Sequence, residues 1–306
     1  MSRLRELKSG VSVDKLCSLF GKTRQAYSQS VNRACKQRLS EEIMLEIIME
    51  IRAMMPRIGV RKLHKIINDR LPPELRIGRD ALFDLMYRYD LLIQQRVRRV
   101  RTTYSDHWMR KYQNIINGLK PSRPNQIWAA DITYVRTENG WVYLHLVTDA
   151  YSKMIVGWCV GDSLETKYTV SALKMALKDN KGKLKGLIHH SDRGCQYCSE
   201  KYVKLLQDNG ILISMCETGD PKENAVAERV NGILKMEWLN NEKYCNIDEV
   251  KKRVSEVVYI YNNKRPHLSL NYMTPKYVHE NPDACIRPCW RNYYPKASQR
   301  VTVAMS

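Results

Sequence analysis

The sequence predicts an α/β core built on a mixed five-stranded sheet with helices, preceded by an all-α front half. Three observations lead there. From Asn125 onward, three strand-like segments follow in quick succession and are succeeded by alternating helix-like and strand-like segments. Ahead of Asn125, apolar residues recur at helical spacing between Gly and Pro stops. Charge divides at the same place: residues 1–120 carry 25 Lys and Arg against 12 Asp and Glu, whereas the remaining 186 carry 26 against 20, within a net charge of +19. A basic front ahead of a nearly balanced, more apolar part suits a nucleic-acid-binding region feeding an enzyme core, although surplus lysine also serves solubility. At 306 residues the chain has room for two or three domains.

The front half reads as two helical modules and a linker. In residues 1–38, Ser12 caps a helix Val13–Phe20, Gly21 breaks it, and Thr23 caps a second helix, Arg24–Val31. Leu16, Leu19 and Phe20 supply an i, i+3, i+4 apolar face. This is a helix-turn-helix pattern in which Arg24 and Gln25 open the second helix, whose outer face could meet base edges. An ordinary helical hairpin has the same pattern. Residues 41–93 repeat the idea: Glu41–Met55 is amphipathic, with Ile43, Ile47, Ile51 and Met54 on one face, and Pro56 and Gly59 stop it. Helices Val60–Asn68 and Asp80–Tyr89 follow. Residues 94–120 form a basic linker, in which Arg96, Arg98, Arg99 and Arg101 suit phosphates as an extended arm, or water as a solvated connector.

The core, residues 121–282, opens with strands Trp128–Val135, Trp141–Asp149 and Met154–Val160. The first two are joined by the hairpin signal Glu138-Asn-Gly140. Helix Thr166–Lys178, strand Gly186–His190, helix Glu200–Asn209 and strand Ile211–Cys216 follow, then helices Glu223–Leu239 and Ile247–Tyr261. Three antiparallel strands followed by alternating helix and strand match a ribonuclease H-like architecture. Residues 283–306 are an aromatic, basic C-terminal tail without assignable chemistry.

Three carboxylates stand out in this order. Asp131 interrupts the apolar strand Ile127–Val135, Asp192 ends another, and Glu228 sits on a helix; 60 residues separate the first pair and 35 the second. An ionised carboxylate in an apolar strand is costly unless it is paired or metal-bound. Three that converge would hold two hard cations through oxygen, as phosphoryl transfer requires. Because Glu228 is on a helix, its distance from the other two can depend on how that helix docks, which DNA could control.

Other classes are disfavoured. No stretch reaches the roughly 18–20 apolar residues of a membrane span, and residues 1–10 lack the apolar region of a secretory signal. Nine cysteines without short-domain spacing suit reduced thiols in a cytosol. The pairs Cys195/Cys198 and Cys285/Cys289 lack a coherent four-ligand zinc pattern and read as incidental.

The stretches Trp128-Ala-Ala-Asp131-Ile-Thr-Tyr, His190-Ser-Asp192-Arg-Gly-Cys-Gln196-Tyr and Glu223-Asn-Ala-Val-Ala-Glu228 resemble the DDE integrase core. With Lys235 seven residues after Glu228, and with Tyr261-Asn-Asn-Lys-Arg-Pro-His267 followed by Thr274-Pro275, the chain resembles bacterial insertion-sequence transposases of the insertion-sequence-three group. Each motif is short; their order and spacing together carry the resemblance, which covers about residues 121–282. Two positions depart from the pattern. Glu223 replaces an aspartate before Asn224, and Ile58-Gly-Val-Arg61-Lys62 replaces a Tyr-Gly-Tyr-Arg-Arg-like stretch, which weakens the second module as a DNA reader. Some relatives carry their front DNA-binding part in a separate upstream frame; the helix-turn-helix here could replace it.

The resemblance implies that Asp131, Asp192 and Glu228 are the catalytic triad and bind two Mg²⁺ ions, with Mn²⁺ as the substitute. The reaction implied is cleavage and strand transfer at insertion-sequence ends. Water or a DNA 3′-hydroxyl attacks phosphorus in line, without a covalent enzyme intermediate. Lys235 shares a helix face with Glu228 and reads as a DNA contact or a surface lysine. Asn224, Asn231 and Arg193 are further candidate DNA contacts; for Arg193 and His190 ordinary packing is the alternative. Tyr261–His267 reads as mainly structural with a DNA-facing edge. The expected partners are double-stranded DNA, both element ends and target, and a second copy of the chain, at least as a dimer on DNA, with no membrane. The expected location is a bacterial cytoplasm, at the nucleoid. A DNA-binding regulator with a relic core, or a metal-dependent nuclease of the same fold, are the competing readings.

Overall fold

A computed structural model describes residues 12–94, 108–217 and 223–284. The chain divides into a helical unit and an α/β unit. Among the described residues, no helix is long and apolar enough to cross a membrane.

The helical unit begins with α1 (Val13–Leu19), capped as its sequence predicts: the Ser12 side chain accepts from the Lys15 N–H. Thr23 Oγ1 likewise accepts from the Ala26 N–H at 3.1 Å. The next helix departs from expectation. In place of two helices, Arg24–Val31 and Glu41–Met55, a single α2 runs Arg24–Met54 over 31 residues, about 46 Å at 1.5 Å per residue. The stretch between, Asn32–Ser40, holds neither Gly nor Pro and is rich in Arg, Lys, Gln and Ala, so nothing local ends the helix. The apolar face keeps Ile51 as expected but otherwise turns from Ile43 and Ile47 toward Met44 and Ile48. Met44, Ile48 and Ile51 are buried, whereas Ile43 is 37% exposed. The reason is tertiary: α3 (Val60–Arg70) and α4 (Arg79–Arg88) supply Leu63, Ile67, Leu82, Leu85 and Met86 as the rest of this core. Asn68 ties the intervening loop down through both the N–H and the C=O of Ile77. Arg88 reaches Glu41 through both terminal nitrogens, at 3.3 and 2.8 Å.

The α/β unit is a five-stranded sheet in the order β3-β2-β1-β4-β5. Strands β1 (Ile127–Thr137), β2 (Gly140–Asp149) and β3 (Ile155–Gly161) are antiparallel. Strands β4 (Ile188–Ser191) and β5 (Leu212–Met215) continue parallel to β1. Helix α5 (Thr166–Asp179), the one-turn α6 (Cys195–Cys198) and α7 (Glu200–Asp208) join them. Helices α8 (Ala225–Glu237), α9 (Ile247–Asn263) and α10 (Pro275–Glu280) follow. This is the ribonuclease H-like arrangement, and the short helices α6 and α10 go beyond the elements read from sequence.

The main core packs Trp128, Ala130, Val147 and Val156 of the sheet against Ala172, Leu173 and Ala176 of α5 and Tyr202 and Leu206 of α7. Gly157 permits that approach: a Cβ there would lie 2.2 Å from the Ala172 carbonyl oxygen. A second set of pins is polar. Fully buried Asp149 accepts from the Asn125 N–H and from both Ser152 donors, each at 2.7 Å. Asn125 in turn accepts from the Trp128 indole at 2.9 Å. The carboxyl oxygens buried at the end of β2 are therefore matched by donors, which burial requires.

Candidate active site

The parallel pairing of β1 with β4 covers only Ile127–Ala129. Beyond it, α8 binds β1 through side chains. Asn224 Nδ2 donates to the Ala130 carbonyl at 2.9 Å, and Asn231 Nδ2 donates to Asp131 Oδ2 at 2.8 Å. The second Asp131 oxygen accepts from the Ile132 N–H at 2.9 Å. Asp192 follows β4 directly and accepts from the Gly194 N–H at 3.0 Å. A Cβ on Gly194 would stand 3.0 Å from that same carboxylate oxygen, so this turn suits glycine. Glu228 lies in the first turn of α8.

These three acids share an electrostatic neighbourhood. The Asp131 carboxyl is pushed up to about 7, first by burial and next by the charge of Asp192, with Glu228 adding to the rise; Asn231 and the Ile132 N–H oppose it. Lys235, on the same helix, feels Asp131 as a favourable charge, while its own burial draws its ammonium below the ordinary lysine value. Its Nζ stands 5.1 Å from the centroid of the Tyr134 ring. Among the described residues, however, no three His, Cys, Asp or Glu side chains are gathered tightly enough to hold a metal ion as they stand. The donor chemistry nonetheless fits hard cations. All three acids offer oxygen, their mutual repulsion is what a cation relieves, and the Oδ1 atoms of Asn224 and Asn231 are buried acceptors without a hydrogen-bond donor.

The other predicted residues fall in several places. Asn224 and Asn231 are each 5% exposed and turn their amides toward β1 rather than toward solvent. Arg193 donates to the Glu217 carbonyl at 3.1 Å. Arg24 and Gln25 are exposed at the start of α2 in the helical unit, Arg24 beside Asp14 at 3.5 Å. Arg96, Arg98, Arg99 and Arg101 lie outside the described residues, as do Cys285 and Cys289. His190 packs inward, its ring nitrogens 2.9 Å from Ser214 Oγ and 3.4 Å from Cys216 Sγ, and burial lowers it to about 4.

The Tyr261–His267 segment is structural for most of its length. Arg265 is 1% exposed and grips Glu237, at the end of α8, with 2.7 and 2.6 Å bonds. His267 Nε2 lies 2.9 Å from Arg265 Nη1, and Lys264 is the exposed cation of the segment. This clamp on the helix bearing Glu228 and Lys235 was not anticipated from sequence. The arginine was visible there, but its partner 28 residues away was not.

The sheet order is that of a ribonuclease H-like core, and the family comparisons name the class of protein built on it. Two family models, each described as an integrase core domain, match residues 121–221 and 209–275. An insertion element IS600 31 kDa protein of Shigella sonnei is 33% identical over 264 residues, 85% of this chain and 96% of that one. The transposase for insertion sequence element IS629 of the same organism is 35% identical over 71% of this chain and 72% of its own. Transposase InsF for insertion sequence IS3A of Escherichia coli K12 is 32% identical over 57% of this chain and 61% of its own. Among solved structures, the catalytic core domain of HTLV-2 integrase, in a complex with magnesium, aligns over 52% of this chain and 99% of its own with 20% identity and a TM-score of 0.41. The chain belongs to the bacterial insertion-sequence transposases of the DDE type, enzymes built on the integrase core.

Proposed function

We propose that this transposase cleaves DNA strands at the ends of its element and joins the resulting 3′-hydroxyls to target DNA, with Asp131, Asp192 and Glu228 as the catalytic acids. The carrying observation is Asp131 itself: a carboxyl held by Asn231, raised to about 7, and surrounded by charge from Asp192 and Glu228 on two separate elements. Asp131, Asp192 and Glu228 would hold two Mg²⁺ ions, with Mn²⁺ as substitute. When bound, such ions supply Lewis acidity for an activated oxygen nucleophile and for the leaving oxygen.

The chain's own groups do the rest. Asn231 fixes one face of the Asp131 carboxylate, and the Gly194 N–H fixes Asp192. Asn224 ties the start of α8 to β1, so the docking of α8 sets where Glu228 stands. Since the acids are not tightly gathered, the proposed trigger for their convergence is DNA settling against α8. Lys235 sits within electrostatic reach of Asp131 and supplies positive charge for a phosphate beside the scissile bond. The helical unit, with Arg24 and Gln25 exposed, is the proposed reader of the element ends, and the 94–120 linker with its arginine run the proposed phosphate arm. Bringing two ends together calls for at least a dimer on DNA.

The test is a strand-transfer assay with labelled DNA ends flanking this gene and Mg²⁺, comparing wild type with Asp131→Asn, Asp192→Asn and Glu228→Gln. Joined products that vanish in all three variants support the proposal. Hydrolysed ends without junctions would make the protein a nuclease, and DNA binding without any metal-dependent product would make the core a relic.

A further inference from the structure

On the sheet beside the candidate site lies a surface whose composition a bare structural role does not account for. The register sets Tyr134 opposite Tyr143 and Arg136 opposite Trp141 across β1 and β2. Tyr134 meets Trp141 at 6.0 Å and Tyr143 at 6.3 Å between ring centroids, at interplanar angles of 76° and 86°. The rings thus touch edge to face and do not stack on one another. Trp141 is 56% exposed and Tyr134 39%. Large rings left this wet, with cations at their margin, are unusual on a sheet face that needs only polar residues to remain soluble.

The margin is cationic on two sides. Lys235 Nζ stands over the Tyr134 ring, and Arg136 is exposed next to it. The link to the site is Lys235, carried on α8 with Glu228 and within electrostatic reach of Asp131; Tyr134 is three residues along β1 from that acid, about 10 Å of backbone, with its side chain on the other face of the strand. Aromatic faces rimmed by positive charge are the recognition chemistry of unpaired nucleic acid. Each base offers a π-face for stacking, and each phosphate a negative charge. A protein apolar face would not call for the cations at this rim, Lys235 over the Tyr134 ring and Arg136 exposed beside it.

We propose that Tyr134, Trp141 and Tyr143, with Lys235 and Arg136 at the rim, form a stacking site for unpaired bases at the DNA end lying in the active site. The inference rests on the proposed function, since it needs DNA at Asp131. It goes further by giving that site a single-strand-binding subsite that selects frayed or tailed ends over intact duplex.

The experiment measures binding of the full chain, in EDTA so that no chemistry occurs, to a duplex with a short unpaired 3′ tail and to the same duplex with a blunt end. Wild type is expected to prefer the tailed duplex at least about fivefold, the low end of what one stacked base contributes. Trp141→Ala and Tyr134→Ala should abolish the preference while leaving blunt-duplex affinity in place, and Trp141→Phe should retain part of it. Equal binding of both duplexes by wild type overturns the inference, and so does parallel weakening of both by the variants. Loss of self-association in Trp141→Ala would make the patch an interface between copies, which also overturns it. Wild type that binds neither duplex would overturn the proposed function as well, so the two failures are distinguishable.

Discussion

Replacing Asp131 by Asn should stabilise the metal-free protein at alkaline pH while abolishing strand transfer. Raising a carboxyl from 3.8 to about 7 corresponds to about 4 kcal/mol of unfavourable ionisation in the folded state, an upper bound before relaxation. An acid raised in this way binds its proton more tightly folded than unfolded. Its contribution is therefore most favourable below the unfolded pKa and is lost as pH rises from about 4 to about 7. Three buried histidines act in the opposite sense. Burial lowers His145 to about 4, His189 to about 3 and His190 to about 4. Their share is present above about 6.5 and lost as pH falls toward their folded values. Over the shared window three histidines outweigh one aspartate, so the wild-type curve alone conceals the effect; the difference between wild type and variant isolates it. Asn offers one side-chain oxygen where Asp accepts two bonds, at 2.9 and 2.8 Å, which returns about 1 kcal/mol. Guanidinium unfolding in EDTA should then show Asp131→Asn more stable by about 1–3 kcal/mol at pH 8, with no such gain at pH 4. A variant no more stable than wild type at pH 8, or a difference that does not shrink toward pH 4, would refute this electrostatic account.

Three further outcomes follow from the geometry. Arg265→Ala strips the partly buried Glu237 of both arginine bonds and should cost about 3 kcal/mol, the low end for breaking a buried pair, read as a drop in the denaturation midpoint, with Glu237→Ala similar and the double variant well short of additive. Gly157→Ala drives a Cβ to 2.2 Å from the Ala172 carbonyl oxygen, and should lose about 1–3 kcal/mol or more by pushing α5 off β3. Asn231→Ala removes a donor that lowers the Asp131 pKa; the acidic limb of the strand-transfer pH profile should move to higher pH, and an unmoved limb would separate Asn231 from the chemistry.

Much of the sheet was legible because a strand's periodicity is local. The run Trp128–Val135, the Glu138-Asn-Gly140 turn and the strand after it each carry their own signal, and β1 and β2 sit where those signals put them. The helical unit was harder. Residues 32–40 contain no stop signal, and a 31-residue helix and two shorter ones have much the same local preferences. The buried face Met44-Ile48-Ile51 was chosen by α3 and α4, not by the helix itself. Likewise, Asn224 and Asn231 were visible beside Glu228, but a helix position alone does not say whether an amide meets DNA or the neighbouring strand.

The sequence by itself determined the order of the five strands, the basic front, and one acid on a strand, one just past the end of another and one on a helix, because propensity, charge and spacing are properties of neighbours along the chain. Only the tertiary structure decided that Asn231 holds Asp131, that Arg265 reaches back 28 residues to clamp α8 through Glu237, and that Tyr134 shares Lys235 with Asp131. Each of these depends on which surfaces meet when burial and hydrogen-bond satisfaction are resolved across the whole unit. That information exists only once distant segments are packed together.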